Sequence, residues 1–174
     1  MRMNFKTGAV VLAALFAAGA AQAQQANPLD AVPEKLPFDV PYGAPISLER
    51  ADAALAAAVA EGKAKGWPMV CAIVDSGANL VSFKRMDGAQ LASVSISQHK
   101  ARTSVKFRRE TKVLEGAVQS GFTYLLGFIQ DDVVTSRGGI PILDGGKLIG
   151  AIGCSGGTGS QDEVVAKAGA AAVK

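Results

Sequence analysis

The sequence predicts an α+β fold in which helices flank an antiparallel sheet. Two stretches have the pattern of a β-hairpin, with apolar strands on either side of a short turn rich in Gly, Asp or Asn, and a helical pattern follows each of them. A further helical pattern precedes the first hairpin, so the element order is helix, hairpin, helix, hairpin, helix. Helices packed on an antiparallel sheet bury the apolar faces of all these elements. A hydrophobic content of 49% with 19% charged residues agrees with one packed domain.

The chain begins with the pattern of a secretory signal peptide at residues 1–23. Arg2 and Lys6 supply the positive charge, residues 8–20 the apolar segment and residues 21–23 a small-x-small cleavage site. The apolar segment is shorter than the roughly 20 residues that a membrane-spanning helix needs. Cleavage lowers the formal net charge from +3 to +1. We therefore expect a periplasmic or secreted protein without a membrane anchor and without affinity for nucleic acid.

Residues 24–45 have the composition of an extended arm, because five prolines recur there at intervals of four or five residues. The domain proper is expected at residues 46–174. It opens with a helix that Ser47 caps and that ends near Lys65, before Gly66. The apolar and alanine positions of this helix share one face, which favours packing on a sheet.

The first hairpin and the second helix follow. Residues 69–74 form a continuous apolar run, which is typical of a buried strand. Turn-forming residues at 75–79 separate this run from a partly alternating strand at 80–86. After an Asp-Gly break, residues 92–107 show the pattern of the second helix.

The second half of the domain contains the second hairpin and the last helix. Residues 110–119 fit a short helix. The second hairpin comprises strands at 138–143 and 147–154 around an Asp-Gly-Gly turn. A capping box is predicted to begin the last helix, with Ser160 as N-cap and Glu163 three residues later.

His99 is the only histidine of the sequence, and it lies in the second helix. A neutral imidazole can ligate a haem iron, and the neighbouring Lys100 or Arg102 could meet haem propionates. Thr103 and Phe107 continue the same helix face. The alternative is that His99 simply faces solvent among polar neighbours.

A glycine-rich loop matches the pattern G-x-S-x-G of serine hydrolases through Gly153, Ser155, Gly156 and Gly157. The only histidine precedes this serine and the chain is short for such a hydrolase, so the pattern does not indicate a nucleophile. Two interpretations stay open. The loop is a plain strand-to-helix turn, or its backbone N–H groups hold an anion such as a carboxylate. Candidate counter-charges for that anion are Arg85, Arg102 and Arg137.

Cys71 and Cys154 are the only cysteines, and each lies in a predicted strand. In an oxidising compartment they could form a disulfide if the two strands are neighbours. Two buried free thiols are the alternative. The sequence contains no C-x-x-C-H motif for covalent haem attachment and no Cys/His cluster with zinc spacing.

Five motifs together resemble the GlcG/HbpS-like family of small haem-binding proteins. They are M-V-C-A-I-V-D-S-G from Met69, R-M-D-G-A from Arg85, K-A-R-T from Lys100, G-G-I-P-I from Gly138 and G-A-I-G-C-S-G-G from Gly150. The similarity covers about residues 46–174, with the motifs in family order.

The resemblance implies a profilin-like fold, with a five-stranded antiparallel sheet flanked by helices and often assembled into homo-oligomers. It implies that the first and last strands are neighbours, which would bring Cys71 and Cys154 close together. Secreted members of the family bind haem, whereas others accompany small-molecule metabolism. Lys100 and Thr103 are the positions that match the family's helix motif.

We therefore expect an exported protein that stores, relays or senses b-type, non-covalent haem without catalytic turnover. The expected haem-binding residues are His99, which is also the expected iron ligand, Lys100, Arg102, Thr103, Phe107 and Arg85. The alternative function is an enzyme or binding accessory for a small carboxylate metabolite, held at Gly153, Ser155, Gly156 and Gly157.

Overall fold

A computed structural model describes residues 31–35 and 39–173. The predicted signal peptide and the first residues of the arm lie outside the described residues. The elements belong to one compact unit that begins at Pro33. In chain order they are α1 (Leu48–Ala64), β1 (Val70–Asp75), β2 (Leu80–Arg85), α2 (Ser93–Phe107), α3 (Thr111–Gln119), a 3-10 segment (Thr123–Asp131), β3 (Gly139–Asp144), β4 (Lys147–Ser155) and α4 (Gly159–Ala171). These bounds confirm the predicted helices and both hairpins. No helix in this part of the chain is long and apolar enough to cross a membrane.

The sheet is antiparallel throughout, in the order β2-β1-β4-β3. The prediction of five strands was wrong, because the described residues form four. The end of the arm does run beside β4, where Gly43 N donates to Leu148 O at 2.7 Å and Tyr42 makes an isolated bridge. Pro41 and Pro45 flank this contact. Since proline has no N–H to donate, the contact does not extend into a strand.

Helices cover both faces of the sheet. One face packs on α1 and α4 through a core that includes Leu55, Ile73, Ile152 and Val165. The other face packs on α2 through a smaller core of Val74, Ala101, Val105, Leu148 and Ala151. Ile73 and Val74, which are consecutive residues of β1, belong to different cores, as the period of a strand requires.

Two glycines let α2 lie directly on the sheet. A Cβ added at Gly153 would lie 2.1 Å from the carbonyl oxygen of Ser97, and one added at Gly139 would lie 2.3 Å from that of Lys100. No larger residue fits beneath the helix at these positions. The glycines therefore set the height of α2 above β3 and β4, and with it the position of His99.

The capping box of α4 differs from the predicted one. Thr158 is the N-cap, and Gln161 rather than Glu163 is its partner. The backbone N–H of Thr158 donates to Gln161 Oε1 at 2.8 Å. Both pairs fit the sequence pattern, but Glu163 is engaged by Lys167 at 2.6 Å and so turns away from the helix start.

Candidate ligand-binding site

One face of α2 meets the end of the 3-10 segment at Asp132. His99 Nε2 lies 3.2 Å from Asp132 Oδ1, and Arg102 lies 4.0 Å from the other oxygen of the same carboxylate. Asp132 adopts the left-handed conformation, with φ of 59°, which aspartate tolerates better than most residues. This backbone turn brings its carboxylate to both side chains. The histidine is 36% exposed, so it is open to a ligand.

Thr103 fastens the chain after the 3-10 segment to α2. Its hydroxyl accepts a hydrogen bond from Val134 N at 2.9 Å and donates to Asp132 O at 3.4 Å. The side chain is fully buried. Thr103 therefore positions Asp132 and does not face a ligand.

Phe107 lies two turns beyond His99 on α2 and joins an aromatic cluster, which we define as Phe107, Tyr124 and Phe128. The ring centroids of Phe107 and Phe128 are 6.4 Å apart, and those of Phe128 and Tyr124 are 6.3 Å apart. Tyr124 and Phe128 are both exposed, which is unusual for large apolar side chains that lie side by side. We call His99, Arg102, Asp132 and this cluster the α2 site.

Lys100 does not belong to the α2 site. Its side chain is buried and its amine contacts Asp162 Oδ2 at 2.6 Å. The other oxygen of Asp162 accepts a hydrogen bond from Gly157 N at 3.0 Å. Lys100 therefore joins α2 to α4 and to the glycine-rich loop, and its charge is directed away from any ligand beside His99.

The glycine-rich loop is largely satisfied by its own side chains. Gly153 lies beneath α2, and the hydroxyl of Ser155 contacts that of Ser93 at 3.0 Å in the interior. Beyond them, Gly157 N donates to Asp162 and Thr158 N donates to Gln161. The carboxylate of Asp162, which accepts the hydrogen bond from Gly157 N, also repels an anionic ligand at the loop. These contacts fit the strand-to-helix turn, and the anion site at Gly153, Ser155, Gly156 and Gly157 stays a prediction.

The arginines predicted to balance an anion at that loop either have a carboxylate partner already or lie on another element. Arg137 lies beside Gly159 but forms an ion pair with Glu115 at 2.9 Å. The hydrogen bonds from Arg137 hold the pKa of Glu115 below its usual range, so this pair is charged at neutral pH. Arg85 lies on the edge strand β2, where its guanidinium donates to Ala89 O at 3.1 Å.

Cys71 and Cys154 form a disulfide. They are directly paired residues of β1 and β4, and both are buried. The neighbouring position of the two strands decides between the alternatives that the sequence left open.

Sequence reasoning missed two acidic residues that organise these contacts. Asp132 and Asp162 each belong to an acidic pair of the sequence, Asp131-Asp132 or Asp162-Glu163, which helix capping or solvation explains more simply than acid–base chemistry. The available signal was Lys100, since a lysine on the sheet-facing side of a helix needs a carboxylate partner. Nothing in the sequence indicated which carboxylate that is.

The donor chemistry of the α2 site fits haem. An imidazole with one nitrogen held by a carboxylate is a usual iron ligand, aromatic rings suit a flat macrocycle, and Arg102 can pair with a propionate. The described residues contain no group of three or more His, Cys, Asp or Glu that could hold a metal ion by themselves.

The architecture defines a class: small α+β domains with helices on both faces of an antiparallel sheet. The model of the family described as haem degrading protein HbpS-like matches residues 46–171, and the chain belongs to this family. This confirms the resemblance inferred from the motifs.

Named relatives agree with the assignment. The chain is 41% identical to protein GlcG of Escherichia coli K12 over 111 residues, which are 63% of this chain and 81% of GlcG. A solved PduOC–haem complex superposes with a TM-score of 0.71 at 32% identity, covering 75% of this chain and 96% of that one. A double mutant of Streptomyces reticuli HbpS superposes with a TM-score of 0.68 at 28% identity, covering 83% of this chain and 98% of that one.

Proposed function

We propose that this protein binds b-type haem non-covalently at the α2 site, with His99 as an iron ligand. The observation that carries the proposal is the contact of His99 Nε2 with Asp132, on the same helix whose Phe107 joins the partly exposed aromatic cluster. Membership of a family named for haem and the haem complex of PduOC support it.

Each group of the site has a distinct part in binding. Asp132 orients the imidazole through its contact with Nε2, so the other ring nitrogen would be the one available to an iron. Phe107, Tyr124 and Phe128 offer apolar surface to the macrocycle. Arg102 meets a propionate. Haem, when bound, supplies an iron that can exchange electrons and small ligands.

Replacement of His99 tests the ligand directly. We expect His99→Ala to weaken haemin binding by about 10- to 100-fold and to shift the Soret band, because the iron loses a protein ligand. Half-exposed helix positions tolerate alanine, so the fold should persist. Haemin titration followed by absorption spectroscopy measures both effects.

The neighbouring variant Gln98→Ala is the matched control and should bind haemin like the wild type. Equal affinity and spectrum in His99→Ala would contradict the assignment of the ligand. A Soret band that stays constant for hours in the wild type supports storage, relay or sensing of haem. Steady loss of that band would instead indicate turnover of the haem.

We also propose that the protein is exported to the periplasm or secreted. The signal-peptide pattern at residues 1–23 supports this, as does the disulfide between Cys71 and Cys154, because such bonds persist in oxidising compartments. Expression of the full chain in a Gram-negative host should yield a periplasmic product whose intact mass corresponds to residues 24–174. An uncleaved product in the cytoplasm would contradict export.

Assembly into homo-oligomers stays a proposal as well. Exposed apolar side chains of the 3-10 segment support it, since such patches often mark interfaces. They are Tyr124, Leu126, Phe128 and Ile129. A small carboxylate as ligand of the glycine-rich loop is the less favoured function, because the loop donors already have partners.

A further inference from the structure

A cleft between α1 and β2 lies away from the α2 site. It has a volume of about 420 Å³ and is lined by Val59, Lys63, Lys84, Arg85, Met86 and Asp87. Two of these residues belong to α1 and two to β2. Helix α1 packs on the face of the sheet opposite to α2, so this cleft and the haem site that we propose are separate.

The charges of the cleft are poorly balanced. Among the described residues, none of Lys63, Lys84 and Arg85 forms an ion pair with a carboxylate, and Arg85 donates to the carbonyl of Ala89. By contrast, Lys65 of the neighbouring turn pairs with Glu61. Asp87 is the one acidic residue of the lining, which leaves the cleft with a net charge of +2.

Cations that outnumber the carboxylates around a cleft lower the energy of an anion placed there. Lys63 lines the cleft from α1, and Lys84 lines it from the edge strand, on the sheet face of its paired residue Cys71, which packs towards α1. Arg85 follows Lys84 on the strand, so its side chain leaves the opposite face of the sheet, and its guanidinium donates to Ala89 O. Two lysines without carboxylate partners among the residues that the structure describes, one on each side of the cleft, match two anionic groups better than one.

The apolar part of the lining narrows the class of ligand. Val59 and Met86 are half-buried, so each presents part of its side chain to the cleft. A ligand with a short aliphatic chain buries this apolar surface, whereas an inorganic ion leaves it exposed to water.

We propose that this cleft is a binding site for a small organic dianion, namely a short aliphatic dicarboxylate. The two charged groups of the ligand pair with Lys63 and Lys84. The proposal does not depend on haem binding.

Isothermal titration calorimetry of the haem-free full chain tests the site, with succinate as the probe. We expect saturable binding that weakens about tenfold or more in Lys63→Ala/Lys84→Ala, because two charge-assisted hydrogen bonds are lost. Both lysines are exposed, so the variant should unfold at the same urea concentration as the wild type. Lys147→Ala removes an exposed lysine from a distant turn and should bind succinate normally.

Two further probes separate the parts of the proposal. Acetate should bind far more weakly than succinate if two anionic groups are recognised. Inorganic phosphate should also bind more weakly, because it has no aliphatic body to cover Val59 and Met86. Phosphate binding as tight as succinate would overturn the dicarboxylate assignment. Absence of saturable binding, or unchanged affinity in the double variant, would overturn the site.

Discussion

Reduction of the Cys71–Cys154 disulfide will lower the free energy of unfolding by about 4 to 5 kcal/mol. The two cysteines are 83 residues apart in the sequence and join β1 to β4 at the centre of the sheet. Opening the bond returns conformational freedom to a long stretch of the unfolded chain, which favours unfolding. Urea unfolding with and without a phosphine reductant, followed by circular dichroism, measures the difference on one and the same sequence.

The matched control is Cys71→Ala/Cys154→Ala. Its unfolding midpoint should lie below that of the oxidised wild type and should not respond to the reductant. If the wild type unfolds at the same urea concentration in both conditions, the two thiols are not bonded in the protein. That result would also remove one support of the proposed export.

Lys100→Met will destabilise the protein by about 3 to 5 kcal/mol, because it leaves the carboxylate of Asp162 buried without its cation. Adding Asp162→Asn should recover part of this loss. The double variant has no charge at either position of this pair, and the asparagine oxygen can still accept the hydrogen bond from Gly157 N. Urea unfolding of the two single variants and the double variant gives the coupling between the two residues.

Lys112→Met provides the comparison for an exposed ion pair. Lys112 lies 3.5 Å from Glu163 and its side chain is 50% exposed. Its replacement should cost less than about 1 kcal/mol. Should Lys100→Met cost no more than Lys112→Met, the buried pair is not what holds α2 to α4.

The elements of the fold were predictable because their signals are local. The helical spacing of apolar residues between Ser47 and Lys65 shows which helix face is buried, and the apolar run at 69–74 indicates a strand that is buried on both faces. The requirement for glycine at positions 139 and 153 has no such local signal. A side chain there would clash with the backbone of α2, and only the tertiary structure shows that α2 crosses above these two positions.

The candidate site was predictable in part for the same reason. The helix face with His99, Thr103 and Phe107 follows from helical geometry alone. The structure does not bring Lys100 and Arg85 to that helix face, since the former pairs with Asp162 and the latter lies on β2. A role of either residue in haem binding stays a prediction. Adjacent residues of a helix point in different directions, so Lys100 does not lie beside the ligand-binding face of His99 although it follows His99 in the sequence.

By itself the sequence determined the α+β class, the order and approximate bounds of the elements, the family and the helix that carries the histidine. The tertiary structure decided the pairing of the polar groups: Cys71 with Cys154, Lys100 with Asp162 and His99 with Asp132. The physical reason is that the spacing of apolar residues within one segment is enough to show which face of that segment is buried. The partner of a thiol, an amine or an imidazole comes from a distant segment instead. The sheet register and the packing of α2 decide which distant segments come into contact.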